Sequence, residues 1–179
     1  KSEETGEGRP HMKIQRRFTR EGCDPWEGIS FAPRSSKIVN PDGRAVFELK
    51  DLQAPESWSQ VAVDILAQKY FRRAGVPAKT DRGPENGMPE WLRRQIPASG
   101  TTLGQETDAR QVFRRLAGCW TYWGWKGGYF TTEADAKSFH DEVCHMLATQ
   151  MGQTIGALAS ASKGAHDAAL PILQNSKPS

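Results

Sequence analysis

Residues 117–130 read Ala-Gly-Cys-Trp-Thr-Tyr-Trp-Gly-Trp-Lys-Gly-Gly-Tyr-Phe, gathering Trp120, Tyr122, Trp123, Trp125, Tyr129 and Phe130 into one glycine-punctuated run. Side chains of this size dominate core and interface energetics, and a solvated loop has no use for so much aromatic area. The run is therefore expected to be buried within this domain or against a partner. Gly124, Gly127 and Gly128 read as tight backbone turns. Their spacing fits no phosphate-binding motif, and no Gly-x-x-x-x-Gly-Lys-Ser/Thr loop occurs anywhere in the chain. The alternative is a stacking platform for single-stranded nucleic acid, which needs aromatic rings beside a basic groove. Lys126 is the only cation in the run, so packing is favoured and nucleic acid is not the expected partner.

Working outward, a helix is expected near 107–117, with Asp108 at its positive N-terminal dipole and Val112, Phe113, Leu116 and Ala117 inward. A further helix is expected near 132–151. There Thr132-x-x-Asp135 resembles a capping box, and Ala136, Phe139, Val143, Met146, Leu147 and Met151 form the apolar set. Upstream, Ser57-x-x-Gln60 reads as a capping box before a helix near 58–74. Its apolar positions are Trp58, Val61, Ala62, Ile65, Leu66, Tyr70 and Phe71, and Gly75 followed by Pro77 ends it. Asn40-Pro41-Asp42-Gly43 reverses the chain within a β-hairpin near 38–49, where Ala45, Phe47 and Leu49 alternate with Val46, Glu48 and Lys50. Residues 78–106 read as a long loop with one helical turn, anchored by Trp91, Leu92 and Ile96. The fold class is mainly α with a small β-hairpin, an α+β arrangement.

Bulk properties narrow the function further. The chain has 179 residues, 24 basic against 21 acidic, and a net charge of +3. That length suits one domain, and so mild a charge does not argue for nucleic acid. The nearest thing to a basic cluster is Arg9, Lys13, Arg16, Arg17 and Arg20, read as a solvated arm. Cys23, Cys119 and Cys144 form an odd set without paired spacing, which suggests neither a disulfide framework nor a structural zinc site and fits a reducing cytoplasmic compartment. Residues 1–11 are polar and read as a disordered leader, not a secretory signal. Residues 152–179, rich in Ala, Ser, Gly and Lys, read as a tail. No segment approaches membrane-spanning length, so no membrane partner is expected.

Catalytic constellations are not evident. His140 and Cys144 share a helix face beside His145 and would permit two metal ligands, but no third or fourth presents itself. The reading is a polar histidine beside a buried thiol, unreactive because burial raises its pKa. Asp135, Asp141 and Glu142 read as solvent-facing helix residues, and no Gly-x-Ser-x-Gly elbow is present. No catalytic, cofactor-binding or metal residue is assigned.

Two blocks carry a resemblance: Trp58-Ser-Gln-Val-Ala-Val-Asp-Ile-Leu-Ala-Gln-Lys-Tyr-Phe-Arg-Arg-Ala-Gly-Val-Pro77 and Gln111-Val-Phe-Arg-Arg-Leu-Ala-Gly-Cys-Trp-Thr-Tyr-Trp-Gly-Trp-Lys-Gly-Gly-Tyr-Phe130. Both resemble the N-terminal region of adenosylcobalamin-dependent (class II) ribonucleotide reductases. Arg17-Phe-Thr-Arg20, Asn40-Pro-Asp-Gly43, Val46-Phe-Glu-Leu49 and the helix from Glu133 to Met151 follow the same family in the same order, so the likeness covers residues 12–151. The resemblance implies a parent enzyme that reduces ribonucleotides to deoxyribonucleotides. In it, adenosylcobalamin generates a cysteine thiyl radical inside an α/β barrel, a cysteine pair and a carboxylate complete the reduction, and a thioredoxin-type reductant recharges the pair.

Residues 152–179 resemble none of the family's continuation. The barrel, radical cysteine, carboxylate and cobalamin site are thus expected to lie beyond the chain, and Cys23, Cys119 and Cys144 match none of the family's redox cysteines. The expectation is an N-terminal wrap region without the barrel. It would bind no cofactor and be inactive alone, with the remainder of the reductase as its partner and a Trp-rich face docked on it. Such a face, left without its partner, would expose apolar surface on a loosely packed unit. The competing expectation is a free-standing interaction module that binds nucleic acid or the full-length reductase through that face.

Overall fold

A computed structural model describes residues 12–151 apart from Pro41 and Gly43. The expected leader and tail lie outside the described residues. The architecture is α+β: a long hairpin and two long capped helices enclose the core, with short strand pairs bracing the intervening loop.

The hairpin is longer than its central alternation suggests. Strand β1, Phe31–Val39, pairs antiparallel with β2, Ala45–Pro55, in a register that sets Phe31 against Pro55, Arg34 against Leu52, Ser36 against Leu49 and Ile38 against Phe47. Leu49 and Leu52 are both buried, although an odd spacing in a regular strand sends side chains to opposite faces. A bulge between Arg34 and Ser36 resolves the conflict. Opposite it Asp51 takes a φ of 55°, and the extra residue brings Leu49, Leu52 and Ala54 onto one inward face. Pro33 is tolerated because β1 has a free outer edge.

Helix α1 spans only Gln60–Ile65 and passes into a π-helical turn, Leu66–Tyr70, so the helix expected near 58–74 is shorter. The cap also differs from the expected Ser57 box. Ser59 is the N-cap, its hydroxyl accepting from the Ala62 amide at 3.2 Å, while Gln60 donates to the Ser35 carbonyl and the Asp64 carboxylate. The chain leaves the helix because residue 72 exchanges its backbone groups with Glu106: the Glu106 N–H donates to the Arg72 carbonyl at 2.8 Å, and the Arg72 N–H donates to the Glu106 carboxylate. The inward residues are Val63, Leu66, Ala67 and Phe71. Val61 and Ile65, expected inside, face solvent at 67% and 49% exposure.

The stretch expected to be a long loop holds strand pairs instead. Strand β3, Val76–Pro77, pairs with β6, Leu103–Gly104, and β4, Thr80–Arg82, pairs with β5, Gln95–Pro97. Between β4 and β5 a 3₁₀ turn, Glu90–Leu92, buries Leu92. Ile96, expected as an anchor, is 46% exposed.

Helix α2 runs Ala109–Lys126, through the aromatic segment instead of ending near 117. Asp108 caps it, accepting from the Arg110 amide while the Gln111 side chain accepts from the Asp108 amide. Gly118 and Gly124 each cost a helix interior about 1 kcal/mol relative to alanine, which packing offsets here. Helix α3, Glu133–Ala148, begins with the Thr132–Asp135 capping box. It packs along α2, and the core forms where β2, α1, α2 and α3 meet around Leu52, Trp58, Val63, Phe113, Ala117 and Leu147. Met146 and Met151 lie outside this core, at 39% and 50% exposure, because Cys144, Leu147 and Ala148 form the inward face near the helix end.

Candidate functional site

The aromatic run divides between two environments. Phe130 is buried, its ring 5.4 Å from that of Phe139 on α3. Gly124 is not a turn residue. It lies inside α2 because a Cβ there would sit 2.6 Å from the Phe130 ring. Gly128, with a φ of +70°, is the position that needs glycine's conformational freedom. Gly124→Ala should destabilise the domain by about 1–2 kcal/mol net, because displacing the packed ring outweighs the gain in helix propensity. A thermal melt that shows equal or higher stability would contradict this contact.

On the outer side of α2, the loop after β4 covers part of the run. Tyr122 donates its hydroxyl to Glu85 at 2.6 Å, and Trp125 donates its indole N–H to the Gly87 carbonyl at 2.7 Å. The Glu85 side chain is 8% exposed and also meets Lys126 at 3.0 Å and Arg94 at 3.6 Å. The Tyr122 hydroxyl, then Lys126 and Arg94, hold its carboxyl down to about 2 against the opposing effect of burial. Lys126, the run's one cation, is thereby engaged with Glu85. Trp123 and Tyr129 remain uncovered at 40% and 52% exposure.

The carboxylates of α3 overturn the solvent-facing expectation. Asp141 is 1% exposed and Glu142 is 8% exposed. Burial pushes the Asp141 carboxyl up, but hydrogen bonds from His140, Lys137 and Arg16 prevail and hold it at about 2. Burial likewise opposes ionisation of Glu142, and the Thr19 hydroxyl with the backbone amides of residues 17–19 brings its pKa below the usual value. Both groups are thus fixed as acceptors and cannot deliver protons near neutrality. Local sequence gives only part of this: Lys137 and His140 lie beside Asp141 on its own helix, but Arg16 and the donors to Glu142 lie more than 120 residues away.

His140 and Cys144 do share a face. The imidazole Nδ1 hydrogen-bonds to Asp141 at 3.0 Å, and Nε2 lies 3.9 Å from Sγ. Burial pushes the Cys144 thiol up to about 12, so it stays protonated and unreactive. Cys119 is exposed, and partial burial still raises its pKa. His145 donates from Nδ1 to the Pro25 carbonyl at 3.1 Å. Among the described residues, no three His, Cys, Asp or Glu side chains group as a metal site. No described helix is long and apolar enough to cross a membrane.

The geometry defines an α+β module in which Glu85, Asp141 and Glu142 are bonded internally while Trp123 on α2 and Tyr129 just after it are uncovered. Residues 32–150 match the family described as class II vitamin B12-dependent ribonucleotide reductase, and the chain belongs to that family, within its N-terminal region. It is 51% identical over 149 residues to the vitamin B12-dependent ribonucleotide reductase of Bradyrhizobium diazoefficiens, covering 78% of this chain and 12% of the relative. The protein of the same name in Agrobacterium fabrum is 51% identical over 147 residues, again covering 78% and 12%. That of Rhodopirellula baltica is 28% identical over 145 residues, covering 80% and 12%. The chain thus spans about 12% of the length of these relatives.

Two clefts on the surface of the described residues measure about 240 and 450 Å³. The two described histidines meet Asp141, Cys144 and Pro25, as given above.

Proposed function

We propose that this chain is a non-catalytic N-terminal part of an adenosylcobalamin-dependent ribonucleoside reductase, which supports the radical-bearing barrel of the parent enzyme and performs no reduction by itself. The observation that carries this reading is 51% identity to relatives of which the chain spans only 12%. The chemistry of the named groups supports it: Asp141 and Glu142 are committed to internal bonds, and the Cys144 thiol is held protonated. The uncovered Trp123 and Tyr129 rings supply apolar area suited to a contact with the remainder of the reductase. Three free cysteines agree with a reducing cytoplasm as the place of action.

Residues 12–151 form the working domain in this proposal. The purified chain, supplied with adenosylcobalamin, ribonucleoside di- or triphosphates and a dithiol, should yield no deoxyribonucleotide above background. Sustained turnover by the chain alone would overturn the proposal.

A further inference from the structure

The first described segment, Met12–Arg20, has no helix or strand of its own beyond a single bridge between Met12 and Phe130, and it precedes the residues 32–150 that match the family. Its attachments to the body are mainly polar. The Met12 N–H donates to the Tyr129 carbonyl at 2.7 Å, the Ile14 N–H to Asp135 at 3.0 Å, and the Arg16 guanidinium to Asp141 at 2.9 Å. Glu142 accepts from the Phe18 N–H at 3.2 Å, the Thr19 N–H at 2.9 Å and the Thr19 hydroxyl at 2.6 Å. All of these acceptors except Tyr129 are carboxylates of α3.

Apolar burial contributes little to the attachment. No side chain of the segment is buried, and the Phe18 ring, stacked 5.6 Å from His145, is still 45% exposed. A cleft of about 240 Å³, lined by Arg16, Cys23, Lys137, Ser138 and Asp141, lies where the segment and the following turn meet α3. Segments held by few buried apolar contacts open at lower free energy than the core. Charge-assisted hydrogen bonds, in contrast, concentrate the attachment in a few named groups.

We propose that residues 12–20 form a detachable strap, latched onto α3 by the carboxylates of Glu142 and Asp141, which peels away as a unit while the body stays folded. Release uncovers the acidic face of α3 formed by Asp135, Asp141 and Glu142, which the strap otherwise occupies with its own donors. The latch, not the core, then sets how often that face is open.

Hydrogen exchange of the full chain tests this directly. In the unmodified protein the Phe18 and Thr19 amides should exchange faster than those of Val63, Val112 and Leu147. Glu142→Gln removes the charge from three hydrogen bonds, so it should accelerate the two strap amides by about 10-fold or more, and their exchange should stay nearly independent of low denaturant while that of the three core amides rises steeply with it. Thr19→Ala, which deletes only the hydroxyl donor, should give a smaller acceleration of the strap amides with the same flat denaturant dependence and serves if Glu142→Gln fails to fold. Strap amides whose exchange rises with denaturant as steeply as that of the core amides would overturn the proposal, as would strap exchange insensitive to both substitutions.

Discussion

Phe113→Ala lowers the unfolding free energy by about 3–5 kcal/mol, the largest effect expected of any single substitution here. Phe113 is 2% exposed, and its ring lies 5.8 Å from Trp26 and 5.6 Å from Trp58. It therefore joins α2 to the turn before β1 and to the entry of α1, where Trp58 is itself fixed by an indole hydrogen bond to the Ala148 carbonyl at 2.8 Å. Truncation removes apolar burial and leaves a cavity that two indoles, locked by their own contacts, cannot collapse to fill. The melting temperature should fall by roughly 10 °C or more. Val61→Ala, at a side chain 67% exposed, is the matched control and should stay within about 0.5 kcal/mol of the parent. Equal losses at the two positions would mean that α2 does not organise the core.

Acid should remove a second, separable part of the stability. The Asp141 carboxyl titrates at about 2 in the folded protein against an ordinary 3.8, so folding favours its ionised form. The sign follows from proton linkage: the stabilisation is present in full above the ordinary value, is lost mainly between about pH 4 and pH 2, and amounts to about 2 kcal/mol. Glu142 is lowered in the same direction and steepens the loss. Asp141→Asn should cost about 2 kcal/mol at neutral pH and flatten the acid limb of a stability profile. Parallel profiles for parent and variant between pH 6 and pH 2, by denaturant unfolding, would sink this assignment.

Several local features were legible in the sequence because their causes are local. The Thr132–Asp135 box closes within four residues, and the hairpin's alternation from Val46 to Lys50 is a property of one strand. The aromatic run misled in one respect. Its glycines look like breaks, yet α2 continues to Lys126 because Phe130 folds back onto Gly124, a contact that no helical periodicity encodes. The sequence suggests burial within this domain or against a partner. The run is instead shared among α3, the loop carrying Glu85 and Gly87, and solvent.

The choice of inward face shows the same limit. Val61 and Ile65 fit a helical apolar stripe as well as Val63 and Ala67 do, and only the hairpin packed beside α1 selects the second pair. Likewise Glu142 looks like an ordinary surface acid until the strap, more than 120 residues earlier, supplies its donors, and Asp141 gains the Arg16 guanidinium from the same strap beside its helix neighbours Lys137 and His140.

By itself, then, the sequence determined the α+β class, the N-terminal cap of the last helix and, through two long blocks, the family. Each of these follows from near neighbours or from extended identity along the chain. The tertiary structure alone decided which helix faces are buried, where the aromatic rings rest and why two acids are held ionised. Those outcomes depend on groups brought together across long loops, whose meeting is fixed by the packing of the whole chain and not by any local period.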